Sequence, residues 1–211
     1  MHTDYVTFKQ RSDRSRYIAD RFSRYVKGKV LDVGCDEAVL KELVHDIEYT
    51  GVDIGGTPDI RINLEEVDQL PFDDKQFDCV VCSDVLEHLE NLHHIFSELV
   101  RVSNKYVIIS LPNNWANARR PIEKGRGSMA HYGLPIEPPK DRHKWFFGMT
   151  EAIDFIDSRT GRDAVSIVTK IVNEKPRVGL IRLIRKIMYP NPERYMNRYA
   201  HTVWAVIKRN Q

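Results

Sequence analysis

The chain is poor in the features that mark a secreted or membrane protein. Three cysteines in 211 residues, an odd number, cannot form a disulfide framework and argue for reduced thiols and a cytoplasmic location. No run of eighteen apolar residues occurs, and Met1-His2-Thr3-Asp4 does not open a basic-then-apolar leader. Neither a membrane span nor a secretory signal is therefore expected. Internal repeats and low-complexity tracts are also lacking, and 211 residues suit one domain, 1–211, with a substantial core. Net charge is only +2, which argues against a general nucleic-acid binder. That near balance hides an uneven distribution: residues 1–112 carry 13 Lys and Arg against 21 Asp and Glu, whereas residues 174–211 carry 9 against 2. Basic segments of this kind favour an anionic partner.

What is present is organised around Val30-Leu31-Asp32-Val33-Gly34-Cys35-Asp36 and the helix-like run 37–44. A β-branched strand, a glycine turn and a helix form the opening unit of a nucleotide-binding α/β sheet. Seventeen residues after Asp36, Asp53 ends a second strand-like run, 48–52. An acidic side chain there can accept both hydroxyls of a ribose, which points to an adenosine-containing ligand. Charge chooses between such ligands. A dinucleotide pyrophosphate at this helix start would be repelled by Asp36 and Glu37. S-adenosylmethionine carries a sulfonium and an ammonium and no phosphate, so the two carboxylates are tolerable beside it.

Val30 to Leu40, Gly51-Val52-Asp53, Leu70-Pro71-Phe72, Phe77-Asp78 and Ser83-Asp84-Val85-Leu86-Glu87-His88-Leu89 occur in one order. In that order and spacing the chain resembles the class I S-adenosylmethionine-dependent methyltransferases, in particular their small single-domain branch with L-P-F and L-E-H-L motifs. The resemblance implies a Rossmann-like open α/β sheet of about seven strands, mostly parallel with an antiparallel last strand, and helices on both faces. It implies S-adenosylmethionine as cofactor. Carried over residue by residue, it sets Asp32, Gly34, Cys35 and Asp36 at the methionine end, and Asp53 with Ile54 at the ribose. Asn63 and Leu64 fall at the adenine and Ser83 near the sulfonium. The family loop usually reads D-x-G-x-G-x-G, whereas here Asp36 and Ala38 replace the second and third glycines. Ala38 still permits close helix packing, while the Asp36 carboxylate could crowd the ligand.

Around the cofactor half, 28–112, the remaining periodicities complete the sheet. An amphipathic helix over 12–27 buries Ile18, Phe22, Tyr25 and Val26. Strands are expected over 59–64, 77–82 and 106–111, with a helix from about residue 91 between the last two. In the C-terminal half, 149–211, a helix over 150–158 capped by Thr150 precedes a strand over 164–172, and 201–208 supplies the antiparallel last strand. Cys79 and Cys82 lie three apart in a strand and so face opposite ways, which argues against a shared metal or disulfide. Residues 113–148 are interrupted by Gly125, Gly127, Gly133, Pro135, Pro138 and Pro139 yet carry Trp115, Tyr132, Trp145, Phe146 and Phe147. This segment reads as an inserted acceptor lid without a regular element. Over 177–189, Leu180, Ile181, Leu183, Ile184, Ile187 and Met188 oppose Arg182, Arg185 and Lys186. Packing of that helix on the protein's own core is the preferred reading, with peripheral membrane contact the alternative.

Methyl transfer from a sulfonium needs alignment above all, and a base where the nucleophile is a poorly acidic hydroxyl or an ammonium. His143, in Asp141-Arg142-His143-Lys144-Trp145, sits among cations that favour a neutral imidazole and is the favoured base, with His88 second. His93 and His94 receive no role. Glu87, His88 and His93 match no known ligand spacing, so no metal is expected. Arg119 and Arg120, with Tyr132 and Trp145, suit an acceptor phosphate or carboxylate. The function read here is methylation of a small or glycan- or lipid-linked, anionic acceptor by a monomer or homodimer, with nucleic acid disfavoured. The alternative is a methyltransferase-like domain that binds ligand or regulates without catalysing.

Overall fold

A computed structural model describes residues 1–129, 131–139 and 141–210. Its elements are β1 (His2–Tyr5), α1 (Arg11–Arg21), β2 (Gly28–Val33), α2 (Val39–Leu43), β3 (Ile47–Asp53), β4 (Ile60–Arg61) and β5 (Phe77–Ser83). After a 3-10 turn at Leu86–His88 follow α3 (Leu92–Val102), β6 (Ser103–Pro112), α4 (Asn114–Lys124), α5 (Met149–Ser158), β7 (Val165–Glu174), α6 (Gly179–Met188), α7 (Pro192–Tyr199) and β8 (Ala200–Arg209). The strands form one sheet in the order β1-β7-β8-β6-β5-β2-β3-β4. Only β8 is antiparallel to its neighbours β6 and β7, so the mostly parallel Rossmann-like arrangement is observed.

Period-two alternation sorts each central strand onto two apolar layers. Leu31, Val33, Val80, Cys82, Val107 and Ile109 meet Ile95, Phe96 and Leu99 of α3 and Ala152 and Ile156 of α5. Val30, Cys79, Val81, Ile108 and Trp204 meet Ile18 of α1 and Phe22 just beyond it. Each large side chain buried this way contributes about 1.5–3 kcal/mol. Cys79 and Cys82 fall in opposite layers, and all three cysteines are free.

Several boundaries differ from the sequence reading, each for a local reason. The sheet has eight strands because His2–Tyr5 adds an edge strand, His2 opposite Ile171 and Tyr5 opposite Glu174. The strand expected over 59–64 shrinks to β4, where only Val52 and Asp53 offer partners at the other edge. α1 ends at Arg21; Phe22 and Val26 are buried through a turn instead. α2 cannot start before Val39 because Asp36 and Ala38 hold positive φ of 51°. Within 113–148, α4 is a regular helix. Buried Asn113 caps it by accepting the Ala116 N–H at 3.2 Å and donates to the Met196, Asn197 and Ala200 carbonyls. Gly148, not Thr150, precedes α5: its N–H donates to Glu151 at 2.8 Å, while Thr150 is bound to Asn197.

The largest departure is α6, which does not pack its apolar face on the core. Leu180, Leu183 and Ile187 are 68, 56 and 69% exposed. The Arg182 and Arg185 guanidiniums instead lie 4.2 and 4.4 Å from the ring centres of Tyr5 and Tyr199. The surface beneath the helix offers aromatic rings and the buried Glu174 carboxylate, which attract the basic side. No helix among the described residues is long and apolar enough to cross a membrane.

Candidate active site

A cavity of about 630 Å³ opens at the C-terminal ends of β2, β3, β5 and β6. Ligands bind there in open α/β sheets because the loops leaving the strands diverge around a crevice. Asp32, Gly34, Cys35, Asp36, Asp53, Ile54, Asn63, Leu64 and Ser83 all line it, as do His88 and His143.

The glycine loop is fixed by backbone contacts. Gly34 holds φ +77°, donates to the Val52 carbonyl at 2.8 Å, and leaves no room for a side chain, since an added Cβ would lie 2.2 Å from Val85 Cγ2. Gly56 is the second such position: a Cβ there would lie 2.1 Å from the Asp36 carbonyl oxygen, at φ +61°. The Asp36 N–H donates to Asp53 Oδ2 and the Gly55 N–H to Asp53 Oδ1, at 2.8 and 2.9 Å. Each Asp53 oxygen keeps acceptor capacity for a further donor, which suits a ribose diol. The Asp36 carboxylate turns to Arg11, 3.4 Å from its Nη1.

Asp32 is buried and accepts the Tyr49 hydroxyl at 2.8 Å. Burial pushes its carboxyl up to about 6, with the Asp53 charge acting the same way against that hydrogen bond. Burial pushes the Cys35 thiol up to about 12, so it stays protonated and is no nucleophile. Asn63 Oδ1 accepts the Glu65 N–H at 3.2 Å in a turn, and the residue lines the cavity. Ser83 Oγ lies 3.0 Å from Ser110 Oγ, and Ser110 donates to Asp84.

Across the cavity the 3-10 turn meets the segment around His143. The Glu87 carbonyl accepts the Lys144 N–H at 2.8 Å, and the Trp145 indole donates to the Leu89 carbonyl at 2.7 Å. His88 and His143 lie edge to face with ring centres 4.4 Å apart, and His131 stacks on His143 at 4.5 Å. His143 is driven down to about 3 by burial, then by His88 and His131, and is neutral. Tyr132 donates to the Trp145 carbonyl and lies 3.0 Å from His143 Nδ1. Tyr132 and Trp145 therefore tie this segment down from outside the cavity wall. Arg119 is paired with Glu123 at 3.1 Å, and neither it nor exposed Arg120 lines the cavity.

Residues to which the sequence assigned no role complete the wall with His88. Arg14 of α1 holds Asp84 at 2.5 Å, Asp141 accepts His88 Nδ1 at 2.6 Å, and Glu87 is buried with Oε2 unpartnered. The Asp84, Glu87, His88 spacing of i, i+3, i+4 was the one available signal. Arg14 and Asp141 are brought in by tertiary contacts alone.

A family model described as a methyltransferase domain matches residues 10–151. A search of curated proteins gives no significant match. Among solved structures, a SAM-dependent methyltransferase from Archaeoglobus fulgidus is similar at 20% identity and TM-score 0.55, covering 96% of each chain. Magnesium protoporphyrin IX methyltransferase from Synechocystis PCC 6803, with bound SAH, aligns at 16% identity and TM-score 0.54 over 98% of this chain and 90% of that one. Small RNA methyltransferase HEN1 gives TM-score 0.59 at 16% identity, covering all of this chain and 27% of that one. At such identities these likenesses establish the fold. The chain belongs to the methyltransferase domain family, and its class is that of the class I S-adenosylmethionine-dependent methyltransferases. S-adenosylmethionine is the cofactor of that class, and a cavity lined by Asp32, Asp36 and Asp53 fits it.

Proposed function

We propose that the chain transfers a methyl group from S-adenosylmethionine to an anionic, glycan- or lipid-linked acceptor presented at a membrane surface. The observation that carries the acceptor is the orientation of α6, whose arginines turn in and whose apolar side chains turn out. That is the reverse of a helix that covers its own core. β8 is antiparallel to both β6 and β7, so β7 ends at the same edge of the sheet as β6 and delivers α6 to the cavity's side. Exposed Lys175 and Arg177 just before α6, Lys186 within it and Arg194 after it make this part of the chain a basic rim. This rim suits anionic headgroups, at about 1 kcal/mol per cation near the surface.

The cofactor supplies a methyl group already activated on a sulfonium, so the protein's task is alignment and exclusion of water. Asp53 receives the ribose hydroxyls, Asn63 and Leu64 the adenine, and Asp32 with the Gly34 loop the methionine end. Ser83 would lie near the sulfonium. The described residues of 113–148 flank the acceptor side of the cavity, tied down by Tyr132 and Trp145. His143 and His88 line the cavity where the nucleophile would sit, and His143 is the favoured base for the proton that an attacking hydroxyl loses.

Vesicle sedimentation tests the acceptor reading. The chain is expected to sediment with phosphatidylcholine vesicles containing 30% phosphatidylglycerol (about a third anionic lipid), to be released by salt, and to ignore pure phosphatidylcholine. A Leu183→Glu/Ile187→Glu variant with unchanged unfolding should stay in solution. Failure of the wild type to bind anionic vesicles, or a dimer through α6 by light scattering, overturns it.

A further inference from the structure

The structure assigns a divalent-cation site to Glu87, His88 and His143, on the acceptor side of the cavity. One ligand atom from each lies within 4.8 Å of the others, and Glu87 Oε1 is 3.9 Å from His88 Nε2. The outer nitrogens are already committed. His88 Nδ1 is 2.6 Å from Asp141 Oδ1 and 3.2 Å from the Arg142 carbonyl, two acceptors, so it carries the ring hydrogen and leaves Nε2 bare. Tyr132 spends its only hydrogen on the Trp145 carbonyl, so His143 Nδ1 must donate to the tyrosine oxygen, which again leaves Nε2 bare. A histidine oriented by a carboxylate through its far nitrogen is the outer-shell arrangement of metal-ligating imidazoles.

Glu87 supplies the independent observation. It is 1% exposed, and its Oε2 has no hydrogen-bond partner. A buried carboxylate is costly unless a cation faces it. The Arg14 guanidinium pairs through Nη2 with Asp84, whose other oxygen accepts from Ser110, and it comes within ion-pair distance of no Glu87 oxygen although its own Nε has no partner. Among the described residues the only ion-pair partner within 4.0 Å of Glu87 is His88. Asp141 and His131, the other titratable groups here, face His88 and His143 from the lid side.

Two imidazole nitrogens and one carboxylate oxygen suit Mn²⁺, Co²⁺ or Zn²⁺ better than Mg²⁺, which prefers oxygen. Ligand atoms about 2.1 Å from an ion lie about 3 Å apart, so binding draws His143 toward the turn. The open positions face the cavity and would hold oxygens of the acceptor. That use rests on the methyl-transfer reading; the ligand set does not. The same lone pair of His143 cannot serve as ligand and base together: His143 is the base only in the metal-free protein, and a hydroxyl bound to the ion would lose its proton to solvent.

The test is titration of chelator-treated wild-type protein with Mn²⁺, following the free-ion spin-resonance signal, with Co²⁺ absorption as a second measurement that needs no variant. One equivalent of Mn²⁺ is expected to bind, with affinity falling at least tenfold in His143→Ala and in Glu87→Gln and 10- to 100-fold in Asp141→Asn. Calorimetry with S-adenosylmethionine on the same proteins should be unchanged, which separates this site from the cofactor reading. No stoichiometric Mn²⁺ or Co²⁺ binding by the wild type overturns the proposal, as does undiminished Mn²⁺ affinity in folded His143→Ala.

Discussion

Asp32→Asn is expected to stabilise the ligand-free chain at neutral pH while weakening its hold on a cationic ligand. Asp32 lies at the end of β2 with its carboxyl pushed from 3.8 to about 6, chiefly by burial. The difference of about two pH units, at about 1.36 kcal/mol each, corresponds to about 3 kcal/mol. The sign follows from proton binding. The folded chain holds this proton more tightly than the unfolded chain, so the stabilisation is fully present below pH 3.8 and lost as pH rises through about 6. An amide cannot ionise, so the variant keeps it, less the cost of amide hydrogens without an acceptor. Urea unfolding at pH 4 and pH 8 measures the difference directly. The variant should gain up to about 3 kcal/mol on the wild type between those values, equivalent to several degrees in melting temperature for a chain of this size. A difference that does not grow over that range would refute burial as the origin of the shift. Calorimetry should show the opposite trend for S-adenosylmethionine, whose ammonium loses its carboxylate.

Two further substitutions probe the frame of the site. Gly56→Ala should cost about 2–4 kcal/mol, because backbone rather than a flexible side chain occupies the new Cβ position, and it should weaken cofactor binding by displacing Asp36; thermal melting and calorimetry read the two effects. Asn113→Ala removes the α4 cap and leaves the Met196, Asn197 and Ala200 carbonyls without this donor, so a loss of about 3–5 kcal/mol is expected in urea unfolding.

The sheet was legible where burial imposes a pattern and obscure where it does not. β2, β5 and β6 are central, and their apolar runs and flanking turns read directly as strands. β1 is an edge strand, H-T-D-Y, with exposed ends and no apolar alternation to reveal it. α7 hid behind Pro192, which reads as a stop after α6 but stands at the start of a helix whose Asn191 cap accepts the Arg194 N–H at 3.0 Å. α4 was masked by polar composition and Pro121, because what fixes it is Asn113 reaching the carbonyls around α7. The amphipathic pattern of α6 was plain, but a moment has no sign relative to the body; the aromatic rings of Tyr5 and Tyr199 decide which side faces in. In the site, the residues that the resemblance set at the cofactor follow strand ends in sequence order, and all of them line the cavity. The opposite wall joins His88 to His143 across 55 positions and adds Arg14 and Asp141, so no local spacing could announce it.

The most direct test of the central claim is calorimetric titration of the wild type and Asp53→Ala with S-adenosylmethionine and S-adenosylhomocysteine. Micromolar binding of both ligands by the wild type is expected, about −8 kcal/mol, with a loss of at least tenfold in a folded Asp53→Ala protein. Absence of binding by the wild type, or equal affinity in the variant, would contradict the assignment of this cavity as the cofactor site.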